Sequence, residues 1–329
     1  MTTVADPPEV LVLDDTTVAP WLPARPPRAH KGTFGKLLIV AGSLDHLGAG
    51  LLAAHAAGRG GAGLVTLALP GSIQPVAAGR LLEVMTLGLP ETEVAGEVDA
   101  EAAVERLLDA EHDALVVGPG LRPGLATVDL VVGLLASGSP ALVDAEALNS
   151  LASLGDWPGD IGRPCVLTPH LGEFARLQGG AAALPGVEGA DLVADDAARA
   201  RVAGEAAGRW GQVVVLKGAR TVIAAPDGRV ARAPFENPAL ASGGTGDVLS
   251  GLVGALLAQG NAPFEAACCA VYLHGVAGEV IRERLGEAGL LADDLPDEIA
   301  RARRRLAAIG AQRSAVRRLG FGPVEPPGA

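Results

Sequence analysis

Short apolar runs alternate with alanine-rich helical stretches through most of this chain, and that alternation limits its fold more than any other feature. The runs are Leu37–Ala41, Leu64–Leu69, Ala114–Val117, Ala141–Val143, Cys165–Leu167 and Val213–Leu216. Each is rich in Val, Leu or Ile, with Gly, Pro or Asp at or just beyond its carboxyl end. Such runs read as strands buried on both faces, the signature of a parallel sheet. Helical patterns between them, such as 124–137 and 191–210, imply βαβ crossovers and helices on both faces of the sheet. After the sixth run, Thr221–Ala225 and Arg229–Ala233 flank Pro226-Asp227-Gly228, a turn signal that predicts a β-hairpin. The last third reads as helical over 247–259, 263–285 and 294–309. The expected fold class is therefore α/β: a mostly parallel central sheet covered by helices on both faces, with a short hairpin after the sixth strand.

No linker divides this pattern, so one domain is expected over residues 30–310. It is preceded by a surface arm at 1–29, rich in Pro and Asp, and followed by a disordered tail at 311–329. The stretch 179–190 reads as a loop. The amino terminus, MTTVADPPEV, has neither a basic start nor a long apolar run, so no signal peptide is expected. No long window lacks Gly, Pro and charge, so no transmembrane helix is expected either. A formal net charge of -12 argues against a general nucleic-acid binder. Three cysteines, two of them adjacent, make no disulfide framework, and they fit buried thiols in a reducing cytoplasm. No Cys/His group has zinc spacing, and no metal-ligating residues are assigned.

In an open parallel sheet, ligands bind where the strands end, so the residues just after each run matter most. The strongest segment is 237–260. Its apolar residues fall on one helical face, and Gly251 and Gly254 within it suggest close packing against another element. Just ahead stand Gly243, Gly244, Thr245 and Gly246. A loop with so few side chains at a helix amino terminus offers bare N–H groups and the positive end of the helix dipole, which together make an anion site. Asp247 then reads either as an N-terminal cap beside a plain turn, or as the base for a hydroxyl attacking a phosphoryl group held in that site.

The chain has only three lysines: Lys31, Lys36 and Lys217. Lys217 ends the sixth run and, with Gly218, Ala219, Arg220 and Thr221, could hold nucleotide phosphates; the plainer reading is a surface lysine at a strand end. The stretch from His30 to Gly35 reads as a cationic glycine loop able to close over a ligand, or as an ordinary turn. His170, after the fifth run, points to the ligand crevice or caps a helix, and Glu173 falls in that helix's first turn. Gly118 and Gly120 permit close backbone approach after the third run. His274 reads as a packed or capping residue, and the seven arginines of 301–318 as a solvated helix face or, alternatively, a contact with a partner or with nucleic acid. Two glycine motifs are set aside. Leu37 follows Lys36, so no Walker loop forms there. Gly58-Arg59-Gly60-Gly61-Ala62-Gly63 precedes a strand instead of following one, so it reads as a tight helix-to-strand turn.

Six segments together resemble the ADP/ATP-dependent NAD(P)H-hydrate dehydratases, whose fold is ribokinase-like: HKGTFGKLLIVAGS from residue 30, VVGPGL from 116, LTPHLGEFARL from 167, VVVLKGARTVIA from 213, NPALASGGTGDVLSGLVGALL from 237 and AVYLHG from 270. The resemblance implies repair of hydrated NADH or NADPH, by phosphorylation of the ring hydroxyl and elimination of phosphate. It makes Asp247 the base and Gly243, Gly244, Thr245 and Gly246 the anion hole. Lys217 to Thr221 with Gly246 would bind the adenine nucleotide, ADP or ATP. Ala49, Gly120, His170 and Asp247 would contact the hydrated cofactor. Mg2+ would be held mainly by phosphates and water. The resemblance also implies a homo-oligomer, dimer or tetramer, and epimerisation by a separate chain. The sequence departs from the family at Ala41, at Glu236 before Asn237, and at Asp144-Ala145-Glu146. A small-alcohol kinase, of the hydroxymethylpyrimidine or hydroxyethylthiazole type, is the alternative that the same anion hole and acid would serve.

Overall fold

The computed structural model describes residues 9–136, 138–179, 183–184 and 191–318, with side chains to residue 311. Its strands are β1 (Val10–Val12), β2 (Lys36–Val40), β3 (Leu64–Pro70), β4 (Met85–Leu89), β5 (Ala114–Val117), β6 (Ala141–Val143), β7 (Cys165–Leu167), β8 (Val213–Leu216), β9 (Val222–Ala224) and β10 (Val230–Arg232). They form one sheet in the order β1-β10-β9-β8-β7-β6-β5-β2-β3-β4. Every pairing is parallel except the two made by β9. The antiparallel β9–β10 pair is the expected hairpin; Gly228 N donates to Ala225 O across its turn at 3.1 Å.

The helices are α1 (Asp15–Val18), α2 (Leu47–Gly60), α3 (Gln74–Ala78), α4 (Ala100–Leu108), α5 (Leu125–Leu135), α6 (Glu146–Ala152), α7 (Leu171–Leu177), α8 (Asp196–Trp210), α9 (Thr245–Ala258), α10 (Pro263–Leu285) and α11 (Leu295–Arg318). The sheet is buried on both faces because its strand residues alternate between two apolar cores. Leu37, Ile39, Val116, Leu142 and Val215 face α2, α9 and α10. Leu38, Val40, Leu115, Val117 and Val143 face the helices of the opposite layer, with Trp157, Phe174 and Trp210. Helix α10 is long and apolar enough to cross a membrane, but 72% of its apolar window is buried inside the protein, as in a core helix.

Two strands escaped the sequence reading, and both are edges. β4 is largely part-exposed and carries Gly88. β1 lies in the segment expected as a surface arm. That segment is built into the fold: Val10 pairs with Val230, Leu13 and Val18 are buried, and Tyr272 Oη donates to Asp15 at 2.9 Å. At the other end α11 runs to Arg318, so 311–318 is helix where a disordered tail was expected. Residues 319–329, and most of the expected loop at 179–190, lie outside the described residues.

Helix α9 lies across β2, β5 and β6 and against α2. The close approach expected of its glycines is present. A Cβ on Gly251 would stand 1.9 Å from Ala53 O, and one on Gly254 would stand 2.3 Å from Val116 Cγ2. The turn at 58–63 is likewise as expected, with Gly61 left-handed at φ 98° as the C-cap of α2.

Candidate active site

The amino end of α9 meets the carboxyl ends of the parallel strands, and there five connections converge: Gly42–Ser43 after β2, Gly118–Gly120 after β5, Asp144 after β6, Thr168–His170 after β7 and Lys217 after β8. The glycine loop is shaped for open amides. Gly244 is left-handed at φ 90°, and a Cβ there would press within 2.7 Å of Leu52 Cδ1. Nothing lies within 4 Å of a Cβ placed on Gly243. Thr245 turns inward, its hydroxyl 2.8 Å from Leu240 O. Thr245, Gly246 and Asp247 open the helix, so their N–H groups have no intrahelical acceptor. His274 holds this turn in place. Its Nε2 lies 3.0 Å from Thr245 O, and burial lowers its pKa to about 4. A carbonyl only accepts, so the neutral ring donates Nε2–H to it. The expected packed histidine therefore supports the anion loop.

Asp247 is not a cap. The N-cap of α9 is Gly244, which has no side-chain capping bond, and Asp247 stands in the first turn with its carboxyl part-buried. Burial, reinforced by the nearby negative charge of Asp144, raises its pKa to about 6, against the opposing pull of Lys217 and His46. A carboxyl with that pKa is half-ionised near pH 6 and mostly ionised at neutrality, yet more basic than an ordinary carboxylate, which suits general-base work.

Lys217 is no surface lysine. Its Nζ lies 2.7 Å from Asp144 Oδ1 and 3.9 Å from Glu173 Oε2, and 3.7 Å from where a Cβ on Gly246 would be. Burial works to lower its pKa, yet Asp144 and Glu173 hold it above the ordinary lysine value. Asp144 is buried, and its second oxygen lies 2.6 Å from Ser250 Oγ on α9. The sequence reading named Asp144 only within the Asp144-Ala145-Glu146 departure, with no role, and did not name Ser250. The signal was present for Asp144, which directly follows a buried run. Ser250 has no signal of its own, since its role depends on α9 crossing β6.

A cavity of about 500 Å³ opens beside the anion loop. Lys217, Gly218, Ala219 and Thr221 line one side, Thr245 and Gly246 another, and Phe235 and Val271 give it an apolar end. Of the expected nucleotide segment, only the Arg220 side chain stands apart: its guanidinium is 2.7 Å from Asp196 and 2.6 Å from Glu236. Glu236, a departure from the family pattern, is therefore paired at the cavity's rim. Ala49 and Gly120 meet on the β2–β5 side, where a Cβ on Gly120 would be 2.7 Å from Ala49 Cβ and 2.7 Å from His46 O. His170 is part of both readings. It follows β7 and is half exposed, while its Nδ1 caps α7 by accepting from Gly172 N at 3.0 Å.

One expected element is not at the site. The loop His30–Gly35 precedes β2, and a Cβ on Gly35 would strike Ala258 O at the far end of α9. Fourteen helical residues separate that end from the anion loop, about 21 Å at about 1.5 Å per residue. Within one chain it cannot close over the ligand, and Lys36 instead pairs with Glu111 on the surface.

Residues 37–301 match the NAD(P)H-hydrate dehydratase family. The chain belongs to that family. It is 46% identical over 281 residues to a bifunctional NAD(P)H-hydrate repair enzyme of Moorella thermoacetica, covering 84% of this chain and 50% of that protein. The ADP-dependent (S)-NAD(P)H-hydrate dehydratase of Neisseria meningitidis serogroup B is 38% identical over 278 residues, covering 83% of this chain and 86% of its own. A solved dehydratase from Bacillus subtilis, ADP/ATP-dependent and co-crystallised with ATP/Mg2+, superposes with a TM-score of 0.75 at 33% identity, over 91% of this chain and 99% of that one. The chain spans about half the length of the bifunctional relatives it matches. Among the described residues of this chain, no group of three or more His, Cys, Asp or Glu side chains could hold a metal ion.

Proposed function

We propose that this chain restores NADH or NADPH from the hydrated forms, using ADP or ATP as phosphoryl donor. The observation that carries the reading is the position of Asp247. It makes no cap, carries a raised pKa, and stands beside the open amides of Gly243, Gly244 and Gly246, with the cavity of Lys217–Thr221 and the Ala49–Gly120 contact as the other parts of the site. The nucleotide occupies the cavity with its adenine toward Phe235 and Val271 and its phosphates toward Lys217 and Gly246. The hydrated ring lies against Ala49, Gly120 and His170. The adenine nucleotide named for the Bacillus subtilis and Neisseria proteins supports the choice of donor.

Asp247 takes the proton of the ring hydroxyl as that oxygen attacks the terminal phosphorus. The bond between phosphorus and the bridging oxygen breaks, leaving AMP from ADP or ADP from ATP. The amides of the glycine loop and Lys217 hold the transferring group, a step governed by positioning and charge neutralisation. The ring carbon–oxygen bond of the phosphate ester then breaks. Phosphate leaves with the electron pair, and loss of a proton from the neighbouring ring carbon completes the double bond. Both oxygens of Asp144 are already engaged by Lys217 and Ser250, and no metal cage is present among the described residues. A magnesium ion would therefore ride on the donor's phosphates and water, supplying charge neutralisation. The test is product analysis: hydrated NADH, nucleotide and protein should yield NADH and free phosphate. A stable phosphate ester of a small alcohol, with no NADH regained, would instead establish the kinase alternative.

A further inference from the structure

The segment that carries Lys217 is wrapped around a buried cation that takes no part in the steps above. Arg199, on α8, is 2% exposed. Its Nη2 donates to Leu216 O at 3.0 Å and its Nη1 donates to Ala219 O, so one guanidinium grips the carbonyls on both sides of Lys217–Gly218. It lies directly behind Gly218, where a Cβ would stand 2.8 Å from Nη2. The neighbouring amides are tied elsewhere: Lys217 N donates to Pro169 O at 2.9 Å and Arg220 N to Phe235 O at 2.8 Å. Among the described residues, the amides of Gly218 and Ala219 donate to no protein group, and both residues line the cavity. Arg220 takes up the reversal of the chain with a left-handed φ of 50°.

We propose that Arg199 is a positioning residue of the nucleotide site. Its guanidinium fixes the peptide units Leu216–Lys217 and Ala219–Arg220, and so holds between them the two units whose N–H groups, those of Gly218 and Ala219, face the donor's phosphates. Two carbonyls three residues apart need a rigid fork with several donors, which arginine has and lysine lacks. Gly218 leaves the space that lets the fork approach. Asp196, on the preceding turn of α8, pairs with Arg220 and Arg232 and supplies the charge that balances Arg199. This rests on the reading of the cavity as the nucleotide site.

The test is calorimetric titration of ADP and ATP into the wild-type chain, Arg199→Lys and Arg199→Ala, with unfolding temperature measured in parallel. Arg199→Ala, assayed well below its unfolding temperature, should bind nucleotide at least about tenfold more weakly, and added guanidinium at millimolar concentration should restore much of that loss. Arg199→Lys should fall between the two. KM for the hydrated cofactor and the acid limb of the pH profile should be unchanged, which a general loosening of the fold would not allow. A folded Arg199→Ala chain with wild-type nucleotide affinity overturns the proposal. Where Arg199→Ala does not fold, Gly218→Ala displaces the guanidinium while keeping it, and the same weakening is expected; unchanged affinity there overturns the proposal too. Failure of the wild-type chain to bind either nucleotide would overturn the functional reading instead.

Discussion

Asp144 Oδ1 accepts from Lys217 Nζ at 2.7 Å, and the same carboxylate helps to raise the pKa of Asp247. One buried acid after β6 thus links the cation beside the nucleotide cavity to the base of the reaction.

Removing that charge should move the pH profile. Asp247 works as a base only when ionised, so activity should rise with pH through about 6. In Asp144→Asn the neighbouring charge is gone, and the acid limb should shift to lower pH. A limb that stays in place in a folded variant would mean that another group sets it. His274, with a pKa of about 4, is neutral throughout this range and does not contribute the limb.

Asp247→Asn should abolish turnover, by roughly 10²–10⁴-fold or more, while nucleotide binding persists. It should also stabilise the protein. A carboxyl whose pKa rises from 3.8 to about 6 on folding binds its proton more tightly in the folded state, so stability is lost as pH rises between those values. Asparagine avoids that loss. Thermal unfolding at pH 7.5 should show a gain on the order of 1–2 kcal/mol, absent below pH about 4. An unchanged or lower unfolding temperature at pH 7.5 would contradict the burial and neighbouring negative charge assigned to Asp247.

Gly251→Ala should damage the scaffold without touching the chemistry. Its methyl would meet backbone, Ala53 O at 1.9 Å, where no side-chain rotation gives relief. A destabilisation of about 3 kcal/mol is expected, read by chemical denaturation. A near-neutral result would show that α2 and α9 do not pack as described.

Arg303→Met tests a different correction. The basic stretch 301–318 reads as a solvated face, yet Arg303 is buried, donating to Gly60 O and to Gln259 Oε1, each at 2.9 Å. It ties α11 to the carboxyl ends of α2 and α9. Loss should cost roughly 2–3 kcal/mol with KM for nucleotide unchanged. A change in KM without a change in stability would place Arg303 in function rather than in packing.

Much of this was legible from the chain. Buried parallel strands announce themselves as continuous apolar runs, so β2, β3 and β5–β8 were readable, and the Pro-Asp-Gly turn located the hairpin. β4 has no such run, since Thr86 and Gly88 interrupt it, whereas β1 does carry one, Val10-Leu11-Val12-Leu13, which was read as part of the Pro- and Asp-rich arm around it. At the site, the glycine loop and Asp247 were readable because a nearly side-chain-free stretch before an apolar helix is rare. Asp144 and Arg199 were given no role, because their partners are 73 and 20 residues away in sequence and meet them only in the packed fold. Of the two readings of His30–Gly35, the ordinary turn holds and the ligand-closing loop does not. A cationic glycine loop looks functional in sequence, but this one precedes its strand and so lies at the amino ends of the parallel strands, away from the site at their carboxyl ends.

The central claim is tested most directly by incubating hydrated NADH with this chain and magnesium, supplying ADP or ATP, and following the return of reduced-nicotinamide absorbance. The account predicts recovery with at least one of the two nucleotides, release of one phosphate per NADH formed, and no recovery with Asp247→Asn. No return of absorbance with either nucleotide, from folded protein that binds them, would contradict it.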